Sequence, residues 1–264
     1  MIDEKPAPPV PGVVAAIAGG RPLQLVWNNA IDGLTYEVGV APDRLFVKWL
    51  PRRSGVTVAG EVTRMRWAVA YIAVPRLRST GSDAGATWMV TEGLPGENAV
   101  CDRWKAEPEM ATVAIGRGLR RMHDALPVAD CPFSWSAEER LAGARRRAEL
   151  GLLEMAEWHE EHRALGVAGA LARLERPPAV DRLVVCHGDA CSPNTLIGED
   201  GDCSGHTDLG ALGVADRWAD LAIATWSATW NYGEGFEDLL LKAYGVAPDP
   251  ERSAYYRLLW DLDD

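Results

Sequence analysis

Apolar and polar residues alternate across residues 21–50, RPLQLVWNNAIDGLTYEVGVAPDRLFVKWL, and the alternation breaks at Asp32-Gly33 and at Pro42-Asp43. Period-two runs parted by such turn pairs predict strand, turn, strand, turn, strand. GEVTRMRWAVAYIAV then sets Val62, Met65, Val69 and Ile72 at helical spacing, and ATWMVTE returns to strand before GLPGEN breaks it. Beyond that break the period is mostly helical. PEMATVAIGRGLRRMHDAL places Ile115, Leu119, Met122 and Leu126 on one face. Residues 136–174 read as helix throughout, with glycine interruptions and an acidic patch from Glu154 to Glu161. DRLVVC is a short strand of buried type, and NTLIGEDGDCSGHTDLG reads as two strands joined at Glu199-Asp200-Gly201-Asp202. ADRWADLAIATWSATW aligns Trp218, Leu221, Ala222 and Thr225, and a last helix starts at Asp249 with Pro250 in its first position. The expected fold is mixed α/β (α+β): a small antiparallel sheet with one helix, followed by a mostly helical part.

Composition narrows the partners. A chain of 264 residues with 47% hydrophobic and 25% charged positions can bury a sizeable core, in one large domain or two lobes. The formal charge of −11 argues against nucleic acid and against an anionic membrane surface, both of which call for clustered Lys and Arg. It suits a cationic or neutral partner. Five cysteines, an odd number without an evenly spaced framework, imply reduced thiols and a cytoplasmic protein. Neither a leader nor an apolar run long enough to span a bilayer is evident. The Pro-rich opening, MIDEKPAPPVPG, predicts a loose arm within residues 1–20.

The stretch CHGDACSPNTL follows the buried strand and carries Asp189, with Asn194 five positions on; the hairpin behind it leads to Asp208-Leu209-Gly210. This spacing suits metal-assisted phosphoryl transfer. One carboxylate accepts or orients a hydroxyl proton, while an amide and a second carboxylate hold Mg²⁺, a cation that prefers a few oxygen ligands. H-x-D-x-x-x-x-N followed by D-x-G matches the catalytic loop and metal-binding turn of protein-kinase-like enzymes. Any one of these residues alone would read as a turn cap; the set in this order does not. Such a site also requires a cation for the nucleotide phosphates, aimed by a helix carboxylate. Lys48 in LFVKW and Glu61 at the start of the first helix fit that pair. Gly33 to Thr35 is the candidate phosphate-covering turn, or equally an ordinary hairpin turn. VTEGLPG, with Thr91, Glu92 and Leu94, falls where a base-binding hinge is expected. Cys186, His187, Cys191 and Cys203 lack zinc-ligand spacing.

Over nearly its whole length the chain resembles the bacterial aminoglycoside phosphotransferases, most closely the 3′-phosphotransferase (kanamycin kinase) group. LVVCHGDACSPNTLI and GHTDLGALGVADRWADLAIAT carry the resemblance, and LFVKW, GEVTRMRWA and WMVTEGLPG match in order and spacing. The resemblance implies a bilobal protein-kinase-like fold: an arm at residues 1–20, a nucleotide lobe at 21–90, a hinge at 91–96 and a catalytic and acceptor lobe at 97–264. It implies ATP or GTP as phosphate donor, Mg²⁺, and an aminoglycoside hydroxyl as acceptor, as in antibiotic resistance. Asp189 would be the base, Asn194 and Asp208 the metal ligands, Lys48 and Glu61 the phosphate-binding pair, and His187 an ordering residue of the loop. A monomer or a dimer is compatible with it.

The departures gather where the acceptor belongs. Ala211 stands where the family usually has arginine, Trp226, Ser227 and Trp230 where it tends to have charge, and of the terminal acids only Asp261 matches. Carboxylates recover the hydration that an ammonium loses, whereas indoles offer stacking and cation–π contact, on the order of 0.5–2 kcal/mol per site. Glu157 and Glu160, in the acidic patch, either face the acceptor or form a solvated helix face. Trp226, Trp230, Trp260 and Asp261 complete the candidate acceptor set, while Trp27, Trp49 and Trp67 fall on core-facing positions. The expected activity is an O-phosphotransferase on an aminoglycoside. The alternatives are a kinase of a more apolar alcohol or metabolite, and a catalytically weak nucleotide-binding homologue.

Overall fold

In the computed structural model, which describes residues 8–263, the alternating run at residues 21–50 becomes three strands. Residues 1–7 of the expected arm lie outside the described residues. The chain divides into two compact units, one formed by residues up to Arg66 together with Pro75–Gly93, the other by Trp67–Val74 and the chain from Leu94 onward.

The first unit holds α1 (Gly12–Ala18), β1 (Leu23–Asn28), β2 (Leu34–Val38), β3 (Leu45–Pro51), all but the last two residues of α2 (Ala59–Ala68), β4 (Leu77–Ser82) and β5 (Ala86–Glu92). The strands form one antiparallel sheet in the order β1-β2-β3-β5-β4. Register sets Tyr36, Val47 and Val90 in a row, and these pack with Val14 and Ala18 of α1 in the core of this unit. The segment expected to be a loose arm is therefore helical from Gly12, because two of its apolar residues cover the sheet. Three further expectations change. The helix predicted through Ile72 ends at Ala68 and leaves Val69 exposed. Strand β4 was not predicted, since LRSTGS has one apolar residue and its pattern is that of an exposed edge. Trp27, expected to face the core, is 56% exposed on edge strand β1.

The second unit holds β6 (Glu97–Asn98), α3 (Asp102–Ala106), α4 (Pro108–Ala125), α5 (Ala137–Glu149), α6 (Glu160–Arg163), α7 (Gly166–Leu174), β7 (Leu183–Cys186), β8 (Thr195–Ile197), β9 (Cys203–His206), β10 (Gly213–Asp216), α8 (Trp218–Tyr232), α9 (Glu237–Tyr244) and α10 (Pro250–Asp263). Strands β6, β8 and β9 make a small sheet, and β7 pairs with β10. Helix α8 is buried at every position from Trp218 to Ala228, so it is the central helix of this unit rather than an amphipathic surface helix. Around it pack Ile115 and Leu119 of α4, Leu240 of α9 and Leu258 of α10. The helix predicted across residues 136–174 is interrupted: α5 stops at Glu149, Gly151 takes a left-handed φ of 68°, and turns follow to α6. The acidic patch thus lies largely on turns. Asp249 caps α10 as expected, its Oδ1 accepting the Arg252 amide at 3.0 Å. None of the five cysteines is in a disulfide. Among the described residues no helix is long and apolar enough to cross a membrane.

Candidate active site

Two clusters of charged side chains stand out, one in each unit. In the first, Lys48 sits mid-strand in β3, directly across from Thr35 of β2 and Met89 of β5. Neighbours along a strand face opposite ways, so Val47 joins the core beside α1 while Lys48 takes the other face. There its Nζ donates to Oε2 of Glu61, in the first turn of α2, at 2.7 Å. The two side chains are only 18% and 8% exposed, so the pair holds the ammonium in one place and loss of either partner strands a shielded charge.

The neighbouring features are more ordinary. Gly33 is buried in the turn between β1 and β2, its amide donating to Asn29 Oδ1 at 2.6 Å. A Cβ there would lie 2.6 Å from Leu50 Cδ2, so packing alone explains the glycine. Thr35 is a strand residue, outside the turn. Thr91 and Glu92 are still within β5: Thr91 pairs with Phe46, the Glu92 amide donates to the Arg76 carbonyl at 2.9 Å, and its carboxylate takes Arg78 Nε at 2.6 Å. Of the three hinge candidates, only Leu94 lies past the strand.

In the second unit, the loop after β7 is fixed from beneath by a residue the sequence reading overlooked. Asp220 of α8 is fully buried. Its Oδ2 accepts the His187 amide at 2.6 Å, its Oδ1 the Gly188 amide at 2.9 Å, and Oδ2 also meets His123 Nε2 at 2.9 Å. His123 Nδ1 in turn faces the Tyr244 hydroxyl at 2.8 Å. Burial alone would raise the Asp220 carboxyl, but the hydrogen bond and charge of His123 and the loop amides outweigh it and hold the group below its usual range. Gly188 has a φ of 86°, and a Cβ on it would sit 2.3 Å from the Ala211 carbonyl oxygen. Only glycine permits that approach.

The rest of the loop follows from His187. Its Nδ1 accepts the Asp189 amide at 3.2 Å, which leaves Nε2–H to donate to the Thr207 carbonyl at 2.9 Å. The ring thereby spans the loop and the segment after β9. His206 packs edge-on to it at 5.8 Å, and burial beside His187 pushes His206 down to about 3. Asn194 Nδ2 donates to the Asp189 carbonyl at 2.9 Å, and the Asn194 carbonyl accepts the Thr207 amide at 2.9 Å. Asn194 is thus joined to the chain that leads into Asp208, an exposed residue held at a left-handed φ of 59°. Asp189 itself has one carboxylate oxygen, Oδ1, buried with no hydrogen-bond partner. A buried acceptor in that state costs about 1–3 kcal/mol. The Asn194 amide oxygen and the Asp208 carboxylate are hard oxygen donors of the type Mg²⁺ takes, so the residues present fit that ion. His123, Cys186 and Asp220 also lie within 4.8 Å of one another, but their hydrogen bonds occupy the imidazole and carboxylate. Burial, then the nearby Asp220 charge, raises the Cys186 thiol, which disfavours a metal there.

The candidate acceptor residues separate. Trp226 is buried and Trp230 is 52% exposed, their rings 4.9 Å apart on α8. Glu157 and Glu160 are exposed, on the turn before α6 and in its first turn. Trp260 is half-buried on α10 and makes no ring contact with the other two. Asp261, expected to meet the acceptor, turns inward instead: its Oδ2 accepts the His159 amide at 2.8 Å and faces His162 Nδ1 at 2.5 Å, with 9% of the side chain exposed.

With this geometry in view, comparisons with known proteins agree on one group. The model of the phosphotransferase enzyme family matches residues 27–256. An aminoglycoside 3′-phosphotransferase of Streptomyces fradiae is 36% identical over 252 residues, spanning 88% of this chain and 93% of that protein. The crystal structure of an aminoglycoside 3′-phosphotransferase of type VIII superposes with a TM-score of 0.80 at 32% identity, over 94% of this chain and 97% of that one. An aminoglycoside phosphotransferase of Streptomyces rimosus, in complex with ADP and streptomycin, gives a TM-score of 0.76 at 27% identity over 95% and 96% of the two chains.

Proposed function

The chain belongs to the phosphotransferase enzyme family, and we propose that it transfers the terminal phosphoryl group of ATP to a hydroxyl of an aminoglycoside. The observation that carries this reading is the loop of His187 to Asn194, folded so that one oxygen of Asp189 is buried and unpartnered. That oxygen accepts the proton of the attacking hydroxyl and orients its lone pair toward phosphorus. The new P–O bond forms as the bond to the leaving ADP breaks. Lys48, aimed by Glu61, offsets negative charge on the phosphates. Asn194 and Asp208 would hold Mg²⁺, which when bound supplies positive charge to a phosphoryl group. Thr35, across from Lys48, is a further candidate for contacting the nucleotide. The relatives named for 3′ transfer support the acceptor class, and the ADP and streptomycin in the Streptomyces rimosus protein support donor and acceptor together. Five cysteines without a disulfide support a cytoplasmic location.

The test is direct incubation of the purified chain with Mg²⁺, ATP or GTP, and a panel of kanamycin, streptomycin and simple alcohols, with products weighed by mass spectrometry. Phosphorylated kanamycin or streptomycin, formed faster with ATP, is the expected result. Nucleotide binding with turnover of no panel member would support the inactive homologue, and turnover of simple alcohols alone would support the apolar acceptor.

A further inference from the structure

We infer that Trp230 is a stacking platform for one sugar ring of the acceptor, so that the amino sugar is held by the apolar face of its ring as well as through its ammonium groups. The inference rests on the phosphotransferase reading above.

Three observations converge on this residue. First, Trp230 is 52% exposed, although α8 is buried throughout from Trp218 to Ala228. Its ring is backed on one side. Trp226, 7% exposed, lies 4.9 Å behind it, and Trp226 is itself fixed by the rings of His159 at 5.1 Å and His162 at 5.8 Å and by the Arg257 guanidinium at 5.5 Å. A backed indole presents its outer face ready formed and has little side-chain freedom left to lose on binding. Second, the platform stands beside the catalytic loop. Ser227, three residues before Trp230, accepts the Ser192 amide at 2.9 Å, and Asn231 donates to the Ser227 carbonyl at 2.8 Å. Trp230 is therefore one helical turn from the anchor of the loop that carries Asp189 and Asn194.

Third, the acids behind the stack are already engaged. Asp261 is taken by His159 and His162. Glu237 accepts the Thr229 hydroxyl through Oε1 at 2.9 Å and pairs with Arg257 through Oε2 at 2.7 Å. These two acids thus already carry protein partners, and beside them stands an exposed indole, with exposed Glu157 and Glu160 flanking His159 in sequence. An indole packs well against the C–H face of a pyranose and attracts an ammonium over its ring. The carboxylates flanking it in sequence suit a positively charged sugar.

The experiment uses the full chain and two variants, Trp230→Ala and Trp230→Phe, with Kd for kanamycin and streptomycin by calorimetry and KM and kcat for both donor and acceptor. Trp230→Ala should raise the acceptor Kd and KM on the order of tenfold, leave kcat within about twofold and leave the ATP KM unchanged. Trp230→Phe should recover most of the loss. An acceptor Kd for Trp230→Ala within about twofold of wild type, or a loss confined to kcat or to ATP, overturns the inference while leaving the phosphotransferase reading intact. Wild-type protein that neither binds nor phosphorylates either drug overturns both.

Discussion

The loop around Asp189 and the cluster around Asp261 both turn an aspartate inward, and they treat it in opposite ways. Asp261 sets one carboxylate oxygen, Oδ2, against the His159 amide and the His162 ring. Asp189 keeps one buried oxygen without a partner, although the backbone around it is bonded at nearly every step. A hydrogen-bonded buried oxygen contributes stability, and an unpartnered one costs it. The presence of an acid in a matching position therefore does not say whether it acts. Its partners decide. On the same logic Asp220, with three donors upon it, is a fixture that aims the loop.

Four variations press on this contrast. The largest effect is expected at Asp208. If it holds the cation, Asp208→Asn should lower kcat by about 10²–10³ and raise the Mg²⁺ concentration needed for half-maximal rate; a Mg²⁺ titration at unchanged rate would remove it from the site. Next comes Asp220→Ala, which strips the acceptor from two loop amides and from His123. Urea unfolding should show a loss of about 3–5 kcal/mol, and a loss below about 1 kcal/mol would mean the loop holds itself.

The third variation is pH. His206 is held down to about 3 when folded, against roughly 6.5 unfolded. Between these values the unfolded chain takes up the proton and the folded chain does not. Stability from this group is therefore complete above about 6.5 and drains as pH falls toward 3, by up to about 1.4 kcal/mol per pH unit. Asp220, also lowered, adds its own loss only below the ordinary carboxylate range. Thermal melts of wild type and His206→Gln should keep a constant gap above about pH 6.5 and draw together as pH falls toward 3; a constant gap across that lower range would contradict the buried neutral imidazole. The smallest effect belongs to Asp261→Asn, which should leave the acceptor KM within about twofold while costing on the order of 1 kcal/mol of stability. A large rise in KM would restore Asp261 to the acceptor site and dissolve the contrast.

Much of the site was legible because its signal is local. His187, Asp189, Asn194 and Asp208 lie within one short stretch, and their spacing constrains how a loop and hairpin can fold. The pair of Lys48 and Glu61 was legible too, since a lysine amid strand-period apolar residues calls for a partner. Asp220 was missed although it left a trace: it is the one charged residue on a helix otherwise uncharged through Ala228, and a charge fully buried is nearly always paired. His123 and Tyr244, which complete that network from α4 and α9, share no local pattern with it. The inward turn of Asp261 depends likewise on His159 and His162, about a hundred residues away. Misreadings of the fold have a similar cause. Strand β4 lacks the alternation that marks a strand, and residues 150–159 carry helix-forming composition that Gly151 interrupts.

The central claim is that Asp189 acts on the hydroxyl and not on the nucleotide. Asp189→Asn keeps the shape and removes the basic oxygen, so ATP affinity and acceptor phosphorylation should be measured on the same preparation. The account predicts an ATP Kd within about threefold of wild type and phosphorylation slower by about 10²–10⁴. Phosphorylation retained within about tenfold, or ATP binding lost together with turnover, would contradict it.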